Sequence, residues 1–195
     1  PLNIFNSLKI KHCPLEIIRW PARDVQPILI RSLVEAIKSK QRIEVDYVSI
    51  QQPDREGRII TPHTIVSTGE RWHVRSWCEK NGDYRDFVLS RFRGEPELLG
   101  PSNNLIEDDL AWQTKVTMEI IPNPALTTAQ QNVVAEDYSM FERKMDITIR
   151  AQLLPYAVNL LGLEIKSKTT NVLSKQLVLR NAEALTKWLY FSEQE

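Results

Sequence analysis

The stretch "ERWHVRSWCEKNGDYRDFVLSRFR", residues 70–93, decides how the first half of this chain folds. Asn81-Gly82, between two alternating runs at 71–79 and 84–91, is the strongest hairpin signal in the chain. Side chains alternate along a strand, so Trp72, Val74, Ser76 and Cys78 share one face while Arg71, His73, Arg75 and Trp77 share the other. The first face reads as core, with Trp72 a structural residue in it. The second sets guanidiniums and an imidazole beside an indole.

A planar guanidinium binds phosphate oxygens bidentately, and an aromatic neighbour offers a base a surface to stack on. Such a strand suits a nucleotide. The plainer reading is a solvated outer face on which Arg71 and Arg75 pair with Glu70, Glu79 or Asp86. In "LSRFR", 89–93, Arg91 and Arg93 are two apart and so project to one side, near the strand that carries Arg75. Like charges held together repel unless an anion lies between them. Tyr47 and Ser49 end another strand facing one way and offer hydroxyls. His63 follows Pro62, which fixes the local chain, although a lone loop histidine has many structural uses.

Around that hairpin, "RIEVDYVS" (42–49), "RIITPHTIV" (58–66) and "RGEPELLG" (93–100) complete five short strands, which suggests a small antiparallel barrel. A helix precedes them in "DVQPILIRSLVEAIKSK", 24–40. Leu29, Leu33 and Ala36 form one stripe there, with Asp24 as N-cap and Pro27 in the first turn. Beyond a boundary near Asn103, strands expected at 115–122, 142–150 and 175–180 alternate with helices. These helices begin at Thr127 or Thr128, end near Gly162, and are capped by Asn181 in the last case. That mixture fits a ferredoxin-like α+β module. Residues 1–23, a short mixed segment with prolines toward both ends and no sustained period, read as a connector from something upstream.

Within 195 residues there is room for one ordinary domain or two small ones. The 25 basic residues equal the 25 acidic ones, so no global field draws in DNA or an anionic membrane, and attraction must be local. Six basic residues against three acidic ones between Arg71 and Arg93 supply it. Cys13 and Cys78 fit no metal spacing and read as reduced thiols of a cytoplasmic protein, a single disulfide being the other reading. No apolar run reaches membrane-spanning length. There is no glycine-rich phosphate loop, nucleophile elbow or zinc-binding helix. Asp108 and Asp109 are adjacent, face different ways and read as solvated linker. The expectation is therefore no enzyme, no cofactor and no metal. An enzyme using His63 or His73 as general base is the weaker rival.

"RIEVDYVS" followed by "RIITPHTIVSTGERWHVRSWCEKNGDYRDFVLSRF" resembles the WYL domain, most closely the branch found in regulators of bacterial anti-phage defence operons, the CapW and BrxR type. The naming triplet stands here as Trp72-His73-Val74. The segment from about Trp112 onward resembles the C-terminal extension called WCX. This resemblance implies an Sm-like, SH3-related barrel over 24–102 with its leading helix, and WCX over 103–195. It implies a homodimeric repressor whose barrel senses a nucleotide or short nucleic acid, with operator DNA held only by a winged helix-turn-helix outside this chain. The implied ligand residues are Tyr47, Ser49, His63, Arg75, Arg91 and Arg93, with His73, Trp77 and Arg71 accessory. A single-stranded nucleic-acid-binding module without a switch is the alternative.

Overall fold

The computed structural model describes residues 21, 23–51, 53–165 and 172–189, so the connector expected over 1–23 lies almost wholly outside the described residues, as does Cys13. Helix α1, Pro27–Ser39, starts at Gln26 rather than at Asp24, with Pro27 in the first helical position where its missing N–H costs nothing. Leu29, Leu33 and Ala36 are its buried residues, the stripe read from the sequence. Lys40 closes it in a left-handed conformation.

Five strands follow: β1 Gln41–Tyr47, β2 Glu56–Ser67, β3 Trp72–Cys78, β4 Asp83–Val88 and β5 Phe92–Pro101. Each neighbouring pair is antiparallel, in the order β4-β3-β2-β1-β5. A 3-10 turn at Leu89–Arg91 carries the chain from β4 to β5. The ladder does not return from β5 to β4, so the described strands form an open sheet where a closed barrel was expected. One face packs under α1 through Leu33, Ile43, Val45, Ile60, Val74, Cys78 and Phe87.

Strand β3 is covered on both sides. Val74, Ser76 and Cys78 are fully buried as their spacing requires, but His73 and Arg75 are buried as well. Trp72 departs from expectation and is 54% exposed. It opens the strand opposite Ser67, the last pair of the β2–β3 ladder, where alternation still assigns a face but the core has ended.

A short helix α2, Leu110–Gln113, leads into β6 Lys115–Pro122, α3 Thr128–Asp137, β7 Met145–Arg150, α4 Leu154–Leu160, β8 Leu177–Leu179 and α5 Thr186–Leu189. Thr127 caps α3 in a reciprocal pair with Gln130. Asn181 caps no helix: it accepts a hydrogen bond from the Glu119 N–H and donates to the Thr117 carbonyl, tying the last segment to β6. The strands form an antiparallel sheet in the order β7-β6-β8 over a core of Met118, Ile120, Leu154, Leu177 and Leu179. The class is α+β. A ferredoxin-like module would make its strand–helix–strand crossover parallel, whereas β6 and β7, joined through α3, pair antiparallel. Among the described residues no helix is long and apolar enough to cross a membrane.

Trp72→Ala should shift stability by no more than about 0.5 kcal/mol, as surface substitutions do, while Ile60→Ala in the core should cost about 2–5 kcal/mol. Paired thermal melts measure both.

Candidate functional site

The face of β3 expected to meet a ligand instead meets the second half of the chain. The β3–β4 register sets Arg75 directly opposite Asp86. In β2 the register slips between Pro62 and Thr64, which leaves His63 at a bulge, a device that re-aims a side chain. From the linker between the two sheets, Asp109 enters as N-cap of α2, accepting the Trp112 N–H at 3.1 Å.

These residues converge on one carboxylate. The Arg75 Nε donates to Asp109 Oδ2 at 2.7 Å and Nη2 to Oδ1 at 3.2 Å, the two-pronged pairing for which guanidinium and carboxylate are matched. A third nitrogen, Nη1, reaches Asp86 at 3.4 Å. His63 Nε2 donates to Asp109 at 3.2 Å, because an ionised carboxylate only accepts, and its Nδ1 bonds the Thr64 hydroxyl at 2.9 Å. The imidazole is flanked edge-on by Tyr84 and Trp112, at 5.7 and 5.5 Å between ring centres. On the far side Asp86 accepts from Gln152 at 2.8 Å and from the Tyr156 hydroxyl at 2.9 Å.

Asp109 is 1% exposed and Arg75 5%. Burial alone would raise the Asp109 carboxyl, but hydrogen bonds from His63 and Arg75, and the guanidinium charge, hold it down to about 2. Burial pulls the other way on Arg75, yet its bond to Asp109 and the field of Asp86 leave it above the ordinary arginine value. Burial lifts the Tyr84 phenol to about 12, and its hydroxyl donates to the Leu105 carbonyl at 2.5 Å. Two residues expected to bind ligand, Arg75 and His63, are thus engaged inside the protein. Asp109, read from sequence as solvated linker, is the group that holds them; its place just ahead of the short helix Leu110–Gln113 is the one sign of it in the sequence.

Of the remaining candidates, Trp77 and His73 touch the rim of this cluster through Tyr84 and Tyr156, and the others lie apart from it. Tyr47 is buried between the edges of Phe87 and Phe92, and its hydroxyl accepts the Val88 N–H at 3.1 Å. Ser49 is half-buried beyond the end of β1, and Trp77 packs its ring edge against Tyr84. Arg91 sits in the 3-10 turn, so its spacing to Arg93 is not strand spacing. The exposed Arg93 donates through Nη1 to the Ser90 and Phe92 carbonyls. His73 lies against the Tyr156 ring at 5.1 Å between centres, and its Nδ1 has no partner among the described residues. Burial pushes His73 down to about 4; Asp86 opposes the fall, and the guanidiniums of Arg71, Arg91 and Arg23 add to it. Arg23 also lines, with Asp24, Gln26, Ser90, Phe92 and Arg93, a cleft of about 550 Å³. Reading 1–23 as a connector passed over Arg23. A cationic region therefore exists, displaced from Arg75 toward the start of α1 and the β4–β5 turn.

Two family models match this chain. Residues 29–94 match the WYL domain, and residues 115–185 match the C-terminal dimerization domain of the BrxR transcriptional regulator. The chain thus carries the two domains that its sequence resemblance implied, and it is similar to the WYL-domain regulators of this type. It is 34% identical over 181 residues to the DNA-binding transcriptional repressor CapW of Escherichia coli strain KTE188, covering 93% of this chain and 60% of that protein. To the CapW repressor of Pseudomonas aeruginosa it is 30% identical over 172 residues, covering 88% and 57%. The chain thus spans somewhat under two thirds of the length of these relatives. A looser likeness, TM-score 0.36 at 14% identity, covers 91% of this chain and 29% of the proteasome accessory factor PafBC of Arthrobacter aurescens.

Arg75→Ala should cost about 3–5 kcal/mol, because it strands Asp109 and Asp86 without their cation. Urea unfolding reads this. Asp109 is depressed in the folded state, so its contribution is present above its ordinary value of 3.8 and is lost as pH falls toward about 2. Asp109→Asn should flatten that part of the stability–pH curve.

Proposed function

We propose that this chain is the sensing and dimer-forming part of a DNA-binding transcriptional repressor that controls an anti-phage defence operon. Its WYL domain, in this reading an Sm-like barrel in ancestry, answers to a phosphate-bearing anion, a nucleotide or short nucleic acid. The repressor role is supported by the CapW relatives, and the homodimer by the dimerization domain that residues 115–185 match. Operator contact is assigned to the part of those relatives that this chain does not span.

One observation carries the ligand reading: Arg23 and Arg93 line the same cleft, and Arg23 acts on His73 together with Arg71 and Arg91. Asp24 in the cleft and Glu70, 3.9 Å from Arg71, offset only part of that positive charge, which leaves room for an anion. Arg75 takes a different part, positioning the two halves of the chain. From the cationic region the path inward is short. His73 touches the Tyr156 ring, Tyr156 donates to Asp86, and Asp86 faces Arg75. An anion seated on the arginines would change the field on His73 and so bias how the WYL sheet meets the dimerization domain. It must favour one arrangement over the other, because equal affinity for both shifts nothing.

Arg93→Ala and Arg91→Ala should each weaken nucleotide binding about tenfold, measured by calorimetry against a panel of mononucleotides, cyclic nucleotides and short oligonucleotides. In the full-length repressor both should hold the operator normally and fail to release it on infection. Normal release would remove the sensor reading. Tight, unselective binding that collapses with salt would replace it with a plain single-stranded nucleic-acid module. Bound anion should also raise the His73 pKa from about 4, followed by NMR titration of its ring protons.

A further inference from the structure

Strand β7 is the outer strand of its sheet, and among the described residues no strand lies beyond it. Its register with β6 runs unbroken from Lys115↔Arg150 to Ile120↔Met145. Proteins usually protect such an edge with bulges, prolines or inward charges, because its free N–H and C=O groups invite another strand. The first sheet does this at β5, which slips register against β1 twice and carries Pro96 and Pro101. β7, with the sequence MDITIR, has no bulge, proline or glycine. Met145, Ile147 and Ile149 are only partly buried by their own core.

The entry to the strand is also unusual. Lys144 N–H bonds the Phe141 carbonyl at 2.8 Å across a turn whose two central residues, Glu142 and Arg143, are both left-handed, at φ 48 and 58. That turn normally takes glycine or asparagine, and strain held at non-glycine residues tends to mark a site with a task. Here it displays Phe141, 80% exposed, at the head of the unprotected edge.

We infer that a second copy of this chain joins at this edge, β7 pairing antiparallel with β7 about a two-fold axis through Thr148. The inference rests on the homodimer reading above and names its contact. Identical edges close symmetrically only about such an axis. The matched dimerization domain contains the strand. Within one chain Asp146 pairs with Lys144 at 2.8 Å and Arg150 lies over the Trp112 ring. Charge favours one register: centred on Thr148, Asp146 stands opposite Arg150 of the partner subunit, and the same pair recurs on the other side of the axis. A register centred on Ile147 would instead oppose Lys144 to an arginine. Pairing merges the two small sheets into one, continues the Met145, Ile147 and Ile149 row across it, and brings Phe141 to the end of the neighbouring strand.

Residues facing across an antiparallel pair have Cα atoms about 4.5–5.5 Å apart, within reach of a disulfide. Thr148→Cys should therefore give a covalent dimer on mild oxidation, seen on a non-reducing gel beside the native chain with its own Cys13 and Cys78. Thr148→Lys and Thr148→Glu should each weaken the dimer at least tenfold in sedimentation, with unchanged circular dichroism, and an equimolar mixture should recover it. A native chain that sediments as a dimer, with no cross-link through residue 148 and no loss in the charged variants, overturns this contact and leaves the homodimer standing. A monomeric native chain overturns both.

Discussion

Everything in this molecule is arranged around a guanidinium out of water between two carboxylates. Arg75 belongs to the WYL sheet, Asp86 to its neighbouring strand, and Asp109 to the linker that leaves for the second sheet. A buried cation is tolerable only if its field is answered at close range and its N–H groups are bonded. The surrounding structure meets both conditions, and does so with groups from both halves of the chain. Tyr156 and Gln152 satisfy the outer oxygen of Asp86, and His63 the outer face of Asp109. The electrostatics of one side chain thus fixes how a sheet and its extension meet.

This arrangement also separates two kinds of arginine that look alike in sequence. Arg75 is buried and neutralised by two carboxylates. Arg23 and Arg93 line the cleft beside α1, where Arg93 donates through Nη1 to main-chain carbonyls, and Arg71 stands 3.9 Å from Glu70. His73 packs on Tyr156 and feels the charge of Arg71, Arg91 and Arg23, with Asp86 opposing them.

Much of the fold was legible in periodicity. Ile43, Val45 and Tyr47 alternate into the core, as do Val74, Ser76 and Cys78, and Thr127 with Gln130 announces its helix. Alternation fails where something interrupts the strand. The 3-10 turn at Leu89–Arg91 breaks the spacing of Arg91 and Arg93, and the bulge turns His63 inward. It also cannot say where cover stops, which is why Trp72 shares a face with Val74 and not its fate. Least legible was Asp109, because a carboxylate's burial is decided by a cation 34 positions away in the chain. No local pattern records that distance.

The slip at His63 sets β2 half a pleat out of step with itself. Ile60 and Thr61 follow one phase against β3, Thr64 to Ser67 the other. Removing a single residue there would straighten the strand and turn every later side chain of it to the opposite surface, so this is a place where the chain's length, more than its chemistry, is under constraint.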